Sequence, residues 1–86
     1  MAKSIHRQEY RILLDLLKTH RLHAGVTQTD VSTALHRSQS FMSDVEHGVR
    51  RIYLLELRDI CAVLKISLTR FVQEFEQSLS RRGKSN

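Results

Sequence analysis

The chain has 86 residues, enough for one domain with a single modest core. Lys and Arg number 14 against 9 Asp and Glu, so the formal net charge of +5 suits contact with a polyanion. The only cysteine, Cys61, excludes an intramolecular disulfide and fits a reducing compartment. The first residues lack the apolar run of a signal peptide, and the longest apolar-rich stretch, residues 12–17, is too short to span a bilayer. We therefore expect a cytoplasmic protein that does not associate with membranes.

The first predicted element is an amphipathic helix over residues 5–24. Apolar residues recur there at steps of three and four, and Gly25 follows as a natural helix end. Two short helices are predicted next, over residues 28–35 with Thr27 as the N-cap and over residues 39–47 with Ser38 as the N-cap. Their predicted inward residues are Val31, Ala34, Leu35, Met42 and Val45.

Two further helices complete the prediction. The fourth covers residues 54–64, and the fifth covers residues 68–79 with Ser67 as its N-cap. Residues 81–86 are charged and contain no apolar side chain, so we expect a flexible basic tail after a domain of residues 1–80. No segment alternates apolar and polar residues as a strand would, so the predicted fold class is all-α with five helices.

The second and third predicted helices are joined by about three residues, which is typical of a helix-turn-helix. In this motif the second helix can lie in the major groove of DNA and present its N-terminal half to the base edges. The inward residues hold the pair together. The side chains left to face outward from this half are Gln39, Ser40, Ser43 and Asp44.

The ordered set of residues in this region resembles the Cro/cI-type (XRE) helix-turn-helix family of phage repressors and bacterial regulators. The resemblance covers residues 10–76, and the members of the family that the chain resembles include controller proteins of restriction–modification operons. It is carried by the segments Thr27-Gln28, Ala34-Leu35, Ser38-Gln39-Ser40-Phe41-Met42-Ser43, Val45-Glu46-His47-Gly48 and Leu57 to Ser67. It implies a five-helix, phage-repressor-like DNA-binding domain. The implied function is sequence-specific binding of double-stranded DNA and transcriptional regulation, as a repressor or an autoregulator.

The resemblance also assigns roles to residues. Gln28 matches a glutamine that binds a backbone phosphate, and Gln39 matches a glutamine that contacts a base. Phe41 matches an aromatic position close to a phosphate or a thymine methyl group. Arg21 and Glu46 match a structural ion pair between the first and third helices. With the basic loop that follows, the expected DNA-binding residues are Thr27, Gln28, Arg37, Ser38, Gln39, Ser40, Phe41, Ser43, Asp44, Arg50 and Arg51.

Two positions depart from the family pattern. His36 occupies a turn position that is often glycine and favours a positive φ. Asp44 places an acid on the groove-facing side, where it would repel phosphates but could accept a hydrogen bond from cytosine N4. This acid keeps open an alternative function, which is a protein-interaction module, such as an antirepressor or an adaptor, that keeps the fold without binding DNA.

The fifth predicted helix carries more apolar surface than a terminal helix of a small domain needs, which indicates a subunit interface. One helix in the groove distinguishes too few base pairs to select a genomic site, so we expect a homodimer on a palindromic operator. The expected interface residues are Tyr53, Leu54, Phe71, Phe75 and Leu79.

Catalysis and metal binding are not expected. His20 and His23 lie three apart, but no cluster of cysteines or carboxylates completes a four-ligand metal site. No nucleophile, base and orienting group are recognisable together, and a small helical domain offers little room for a pocket. We therefore expect no enzymatic activity, no cofactor and no small-molecule ligand.

Overall fold

The computed structural model describes residues 7–84, with side chains as far as Arg81. This part of the chain contains no strand and forms five helices, namely α1 (Gln8–Ala24), α2 (Gln28–Ala34), α3 (Phe41–Glu46), α4 (Leu54–Val63) and α5 (Leu68–Lys84). The all-α, five-helix prediction is confirmed. None of these helices has the combination of length and apolar character that a membrane span requires.

The first four helices end in the same way, on a residue in the left-handed conformation. These residues are Gly25, His36, Gly48 and Lys65, with φ values of 74°, 56°, 73° and 62°. In each case this residue and the next donate their N–H groups back to carbonyls of the last helical turn, which is the Schellman motif. At the end of α2 the two bonds measure 3.0 and 2.9 Å. The positive φ expected at His36 is confirmed, although histidine pays a steric cost there that glycine avoids.

Two of the predicted N-caps are present. The Thr27 hydroxyl accepts from the N–H of Asp30 at 2.9 Å, and the Asp30 carboxylate accepts from the N–H of Thr27 at 2.9 Å, forming a capping box. The bonds from the backbone and side chain of Thr27 lower the pKa of Asp30. The Ser67 hydroxyl accepts from the N–H of Arg70 at 3.1 Å at the start of α5.

The prediction of Ser38 as the N-cap of the third helix is wrong. The helix α3 begins at Phe41 rather than at Gln39, and the Ser38 carbonyl, not its hydroxyl, accepts from the N–H of Phe41 at 3.0 Å. That bond spans three residues and closes a single turn, so residues 38–40 lead into the helix instead of belonging to it. As a result Gln39 lies in the turn that precedes α3.

The helix α5 is longer than predicted. It ends at Lys84 rather than at Leu79, so residues 81–84 continue the helix instead of forming a tail. Arginine and lysine have good helix propensity, and their charge is favoured at a helix C-terminus, so these residues need not end the helix. The predicted helix start at residue 5 and the last two residues of the predicted tail lie outside the described residues.

All five helices contribute to one core. The helix α1 packs against α3 and α5, while α4 packs against α5 and α2. Polar bonds also fasten α1 to distant segments. Among them, the Tyr10 hydroxyl accepts from the N–H of Ile52 at 3.2 Å, and His20 Nε2 lies 2.6 Å from a Glu74 carboxylate oxygen. The buried residues of the core are Leu14, Leu17, Val31, Phe41, Met42, Val45, Leu57, Ile60, Cys61, Leu64 and Phe71.

Candidate nucleic-acid interface

The helices α2 and α3 are packed face to face by Val31, Met42 and Val45, all of which are fully buried. A polar bond fixes their relative position, because the buried Ser32 hydroxyl accepts from the N–H of Met42 at 3.0 Å. Ala34 was predicted to face inward but is exposed, and the inward position of α2 that the sequence did not indicate is Ser32. A serine is found more often on surfaces than in cores, so composition alone gives no signal for it.

An exposed strip leads into the third helix. Every residue from His36 to Ser40 is exposed, and on α3 itself Ser43 and Asp44 are half-buried. His47 Nδ1 lies 2.8 Å from the Ser43 carbonyl oxygen and 3.3 Å from its hydroxyl. The predicted groove-facing side chains are therefore brought to one surface around the start of α3, with a histidine beside them.

Phe41 does not belong to that surface. The prediction placed its ring near DNA, but the side chain is only 2% exposed and lies in the core. Since Phe41 and Val45 are four residues apart, both occupy the inward face of α3. The outer side of the ring is covered by two guanidinium groups, with the Cζ atoms of Arg37 and Arg50 at 4.3 and 5.1 Å from the ring centroid.

These two arginines share one carboxylate. Glu56, in the first turn of α4, accepts from Arg37 Nη1 at 2.9 Å and from Arg50 Nη1 and Nη2 at 2.9 and 2.7 Å. It also accepts from the N–H of Tyr53 at 3.2 Å. Burial alone would raise the pKa of Glu56, but bonds from Arg50, Tyr53 and Arg37 outweigh it and lower the pKa to about 2. The neighbouring Arg51 is exposed.

Glu56 was not among the predicted site residues. It follows Arg37 by 19 positions and Arg50 by 6, and a lone acid in the first turn of a helix is ordinarily explained by the helix dipole. The sequence offered no signal that joins these three side chains.

The predicted ion pair between α1 and α3 is present. Arg21 Nε donates to Glu46 at 2.6 Å and Nη2 donates at 3.2 Å, while Nη1 donates to the Val26 carbonyl at 2.9 Å. Both Arg21 and Glu46 are 7% exposed. The Gln28 amide also donates to Glu46, at 2.9 Å. One of the two N–H bonds of this amide is thus engaged within the protein, and the other is left for an acceptor outside it.

One of the five residues predicted for a subunit interface does not reach the surface. Phe71 is fully buried within its own domain, so it cannot contact a partner. Its ring centroid lies 6.0 Å from that of His20 on α1. Phe75 and Leu79 are half-buried and line an open groove between α1 and α5 with Tyr10 and Leu13.

Large apolar side chains are also exposed between the end of α3 and the first turn of α4. Tyr53 and Leu54, both predicted for the interface, are 69% and 66% exposed. Leu55 is 70% exposed and Val49 is 72% exposed, and neither was predicted. We call these four residues the 49–55 patch. Four exposed large apolar side chains within seven residues of chain make this segment a candidate interaction surface.

Comparison with known proteins places the chain in a family. The model of the family described as "Helix-turn-helix domain" matches residues 12–70. Among solved structures, an XRE-family like protein from Pseudomonas syringae pv. tomato str. DC3000 is 35% identical with a TM-score of 0.80, over 87% of this chain and 92% of that chain. The clp gene regulator ClgR from Corynebacterium glutamicum is 22% identical with a TM-score of 0.76, over 92% of this chain and 84% of that chain, which shows a shared fold. A comparison with curated protein sequences finds no significant match. The chain therefore belongs to the helix-turn-helix domain family, as an XRE-type helix-turn-helix regulator.

Proposed function

We propose that this protein binds a specific double-stranded DNA sequence as a homodimer and represses transcription there, including that of its own gene. The observation that carries the proposal is the exposed strip from His36 to Ser40, which continues onto the outer side of α3. This strip immediately precedes α3, and the N-terminal end of the second helix is the part of a helix-turn-helix that approaches base edges. The buried Met42 and Val45 hold α3 against the core.

Base recognition is assigned to the polar side chains of this strip and of α3. A glutamine amide can pair with adenine N6 and N7, which suits the exposed Gln39. Hydroxyl groups such as those of Ser40 and Ser43 can donate or accept. The carboxylate of Asp44 can only accept, and the N4 amino group of cytosine is the matching donor in the major groove. The acid therefore favours an operator with a cytosine opposite α3.

Affinity is assigned to contacts with the DNA backbone. Thr27 and Ser38 are exposed, and the Thr27 hydroxyl still has its own hydrogen to donate, since it serves only as an acceptor in the capping box. The free N–H of the Gln28 amide and the exposed guanidinium of Arg51 provide two further proposed backbone contacts. Such contacts position a protein on DNA without distinguishing sequences.

The homodimer is proposed through the 49–55 patch. Each discriminated base pair contributes about 1–3 kcal/mol, so one recognition helix cannot select a site among about a million competitors. A two-fold axis doubles the recognised sequence and predicts a palindrome with half-sites about one helical turn apart. The patch immediately follows α3 in the chain, so a contact through it would bring two copies of α3 into a fixed relation. Repression follows from occupancy alone, because a bound dimer excludes other proteins from the same DNA.

The test begins with selection of bound duplexes from a random DNA pool, followed by affinity measurements against salt. A protein that contacts six or more phosphates loses about 10³-fold or more in affinity between about 50 and 200 mM salt. Recovery of a palindrome with that steep dependence supports the proposal. Failure to bind any duplex at low salt would instead favour the protein-interaction module.

The dimer is tested separately by sedimentation. Leu54→Lys introduces a charge into the 49–55 patch, so we expect a folded monomer that has lost affinity for the full palindrome. Leu22→Lys is the matched control, since Leu22 lies on α1 and is 57% exposed outside the patch. A Leu54→Lys variant that remains dimeric and binds the palindrome normally would place the interface elsewhere.

A further inference from the structure

The side chains around Phe41 connect both ends of the third helix to the fourth. Arg37 belongs to the turn before α3, Arg50 to the loop after it, and Glu56 to the first turn of α4. Both guanidinium groups lie over one ring and donate to one carboxylate. The carboxylate is mostly buried, with 13% of the side chain exposed, whereas the side chains of Arg37 and Arg50 are 37% and 30% exposed. The cluster therefore hides its negative charge and presents its positive charges to solvent.

We propose that Arg37 and Arg50 together form one binding site for a DNA backbone phosphate, and that Glu56 is the positioning residue that holds both guanidinium groups for it. This inference rests on the proposed function, because the phosphate is that of the DNA bound by α3. Glu56 would thus contribute to DNA binding without contacting DNA, and its carboxylate would make Arg37 and Arg50 act as a unit.

The hydrogen-bonding capacity of the cluster supports an anion site. A guanidinium carries five N–H bonds. Among the described residues, Arg37 donates one of its five to Glu56, while Arg50 donates two to Glu56 and one to the Arg51 carbonyl at 2.8 Å. The remaining donors of both groups can serve a further acceptor. Two positive charges facing one carboxylate also leave an excess of one, which a phosphate would balance.

Positioning and simple electrostatics predict opposite results. If Glu56 acted only through its charge, replacing it with a neutral residue would strengthen binding to a polyanion. If it fixes the two arginines before DNA arrives, its loss leaves two long side chains to be ordered on binding, and binding weakens. The aromatic ring beneath restricts the same side chains, so carboxylate and ring together define where the free N–H groups lie.

The proposal is tested by the dissociation constant of a fluorescent duplex that carries the sequence selected by the wild-type protein. Glu56→Gln keeps the size of the side chain and an acceptor for the N–H of Tyr53 but loses the charge. We expect it to weaken binding about tenfold, which is the order of the cost of ordering two such side chains. Glu74→Gln is the matched control. Glu74, on α5, also pairs with an arginine, Arg70, and lies 2.6 Å from His20 Nε2, so this variant removes a structural carboxylate away from α3 and should not weaken binding.

A double-mutant cycle separates positioning from a structural role. In a protein that already carries Arg37→Ala and Arg50→Ala, Glu56→Gln should no longer weaken binding, because no guanidinium remains to be held. A loss that persists in this background would show that Glu56 acts through the fold of α4 and would overturn the inference. Tighter binding by Glu56→Gln in the otherwise wild-type protein would overturn it as well.

A second variant covers the case in which Glu56→Gln fails to fold. Replacing Arg37 and Arg50 together by lysine keeps the charge but removes the planar fork, and it should also weaken binding about tenfold. Unchanged affinity would contradict a shared phosphate site. If the wild-type protein binds no duplex at low salt, the proposed function fails together with this inference, whereas normal wild-type binding with unaffected variants overturns the inference alone.

Discussion

The buried pair between Arg21 and Glu46 allows a quantitative test of how α3 is held. Arg21 is 7% exposed in the wild-type protein, and in Glu46→Ala its guanidinium keeps only the bond to the Val26 carbonyl. The Gln28 amide loses its acceptor at the same time. Removing one partner of a buried pair costs about 3–5 kcal/mol, because the other charge remains out of water without compensation. Since a small domain is stable by only about 5–15 kcal/mol, this substitution should bring the protein close to unfolding.

Urea unfolding and thermal melting, followed by circular dichroism, measure this loss. For a chain of this size about 1 kcal/mol corresponds to about 4–8 °C, so the melting temperature of Glu46→Ala should fall by about 12–40 °C. Asp44→Ala is the control, because Asp44 carries the same charge on the same helix but is half-buried. It should lose at most about 1 kcal/mol from its favourable position near the helix N-terminus.

A paired substitution tests the reason as well as the size of the effect. Replacing Arg21 and Glu46 together by methionine removes both charges, and apolar replacement of a buried pair is often neutral or stabilising. The double variant should therefore be clearly more stable than Glu46→Ala. Equal melting temperatures for Glu46→Ala and Asp44→Ala, or a double variant no better than the single one, would refute the stranded-charge reasoning.

Three further results are expected. His36→Gly and Lys65→Gly should each raise the unfolding free energy by about 1 kcal/mol, because glycine adopts a positive φ without the cost that a side chain adds; no gain in melting temperature would contradict this. The stabilisation from the lowered pKa of Glu56 should be complete above about pH 4.5 and be lost as the pH falls towards about 2. In urea titrations, the difference in unfolding free energy between the wild type and Glu56→Gln should therefore narrow over that interval; a difference that widens would contradict this. In DNA selection, Gln39→Ala should relax the preference at one base position and weaken binding to the specific site by about 1–3 kcal/mol. Arg51→Ala should instead lower the affinity for all sequences alike and flatten the salt dependence of binding. An unchanged selected motif for Gln39→Ala would exclude Gln39 from base recognition.

The sequence predicted what short-range patterns determine. The spacing of Met42 and Val45 identified the inward face of α3, and Gly25 and Gly48 marked two helix ends where the backbone is left-handed. Lys65 takes the same conformation without a glycine, so composition gave no specific sign of a positive φ there. The Schellman bonds of the neighbouring backbone impose that conformation, and a lysine tolerates it at a modest cost.

Long-range packing accounts for what the sequence did not predict. Phe71, Phe75 and Leu79 follow one another at steps of four, so they share a face of α5 and look equivalent in the sequence. They differ in burial, because Phe71 lies in the core whereas Phe75 and Leu79 line the open groove between α1 and α5. Phe41 was assigned outward by resemblance, although its spacing from Val45 fits the inward face equally well. Which part of an apolar stripe is covered depends on how the helices cross, and local periodicity carries no information about that.

The helix α3 is too short to hold its own geometry. It has six residues, at most half of the about 12–15 below which an isolated helix is only marginally stable in water. Apolar contacts bury its inner face but are non-directional, so they leave its rotation and tilt weakly defined. Directional bonds supply that definition from three neighbours: Ser32 of α2 binds the N–H of Met42, Arg21 of α1 binds Glu46 near its end, and Glu56 of α4 restrains the segments on both sides. A recognition helix must keep a fixed orientation for its side chains to meet base edges. Polar residues remote from DNA should therefore affect sequence recognition as strongly as many of the side chains that touch it.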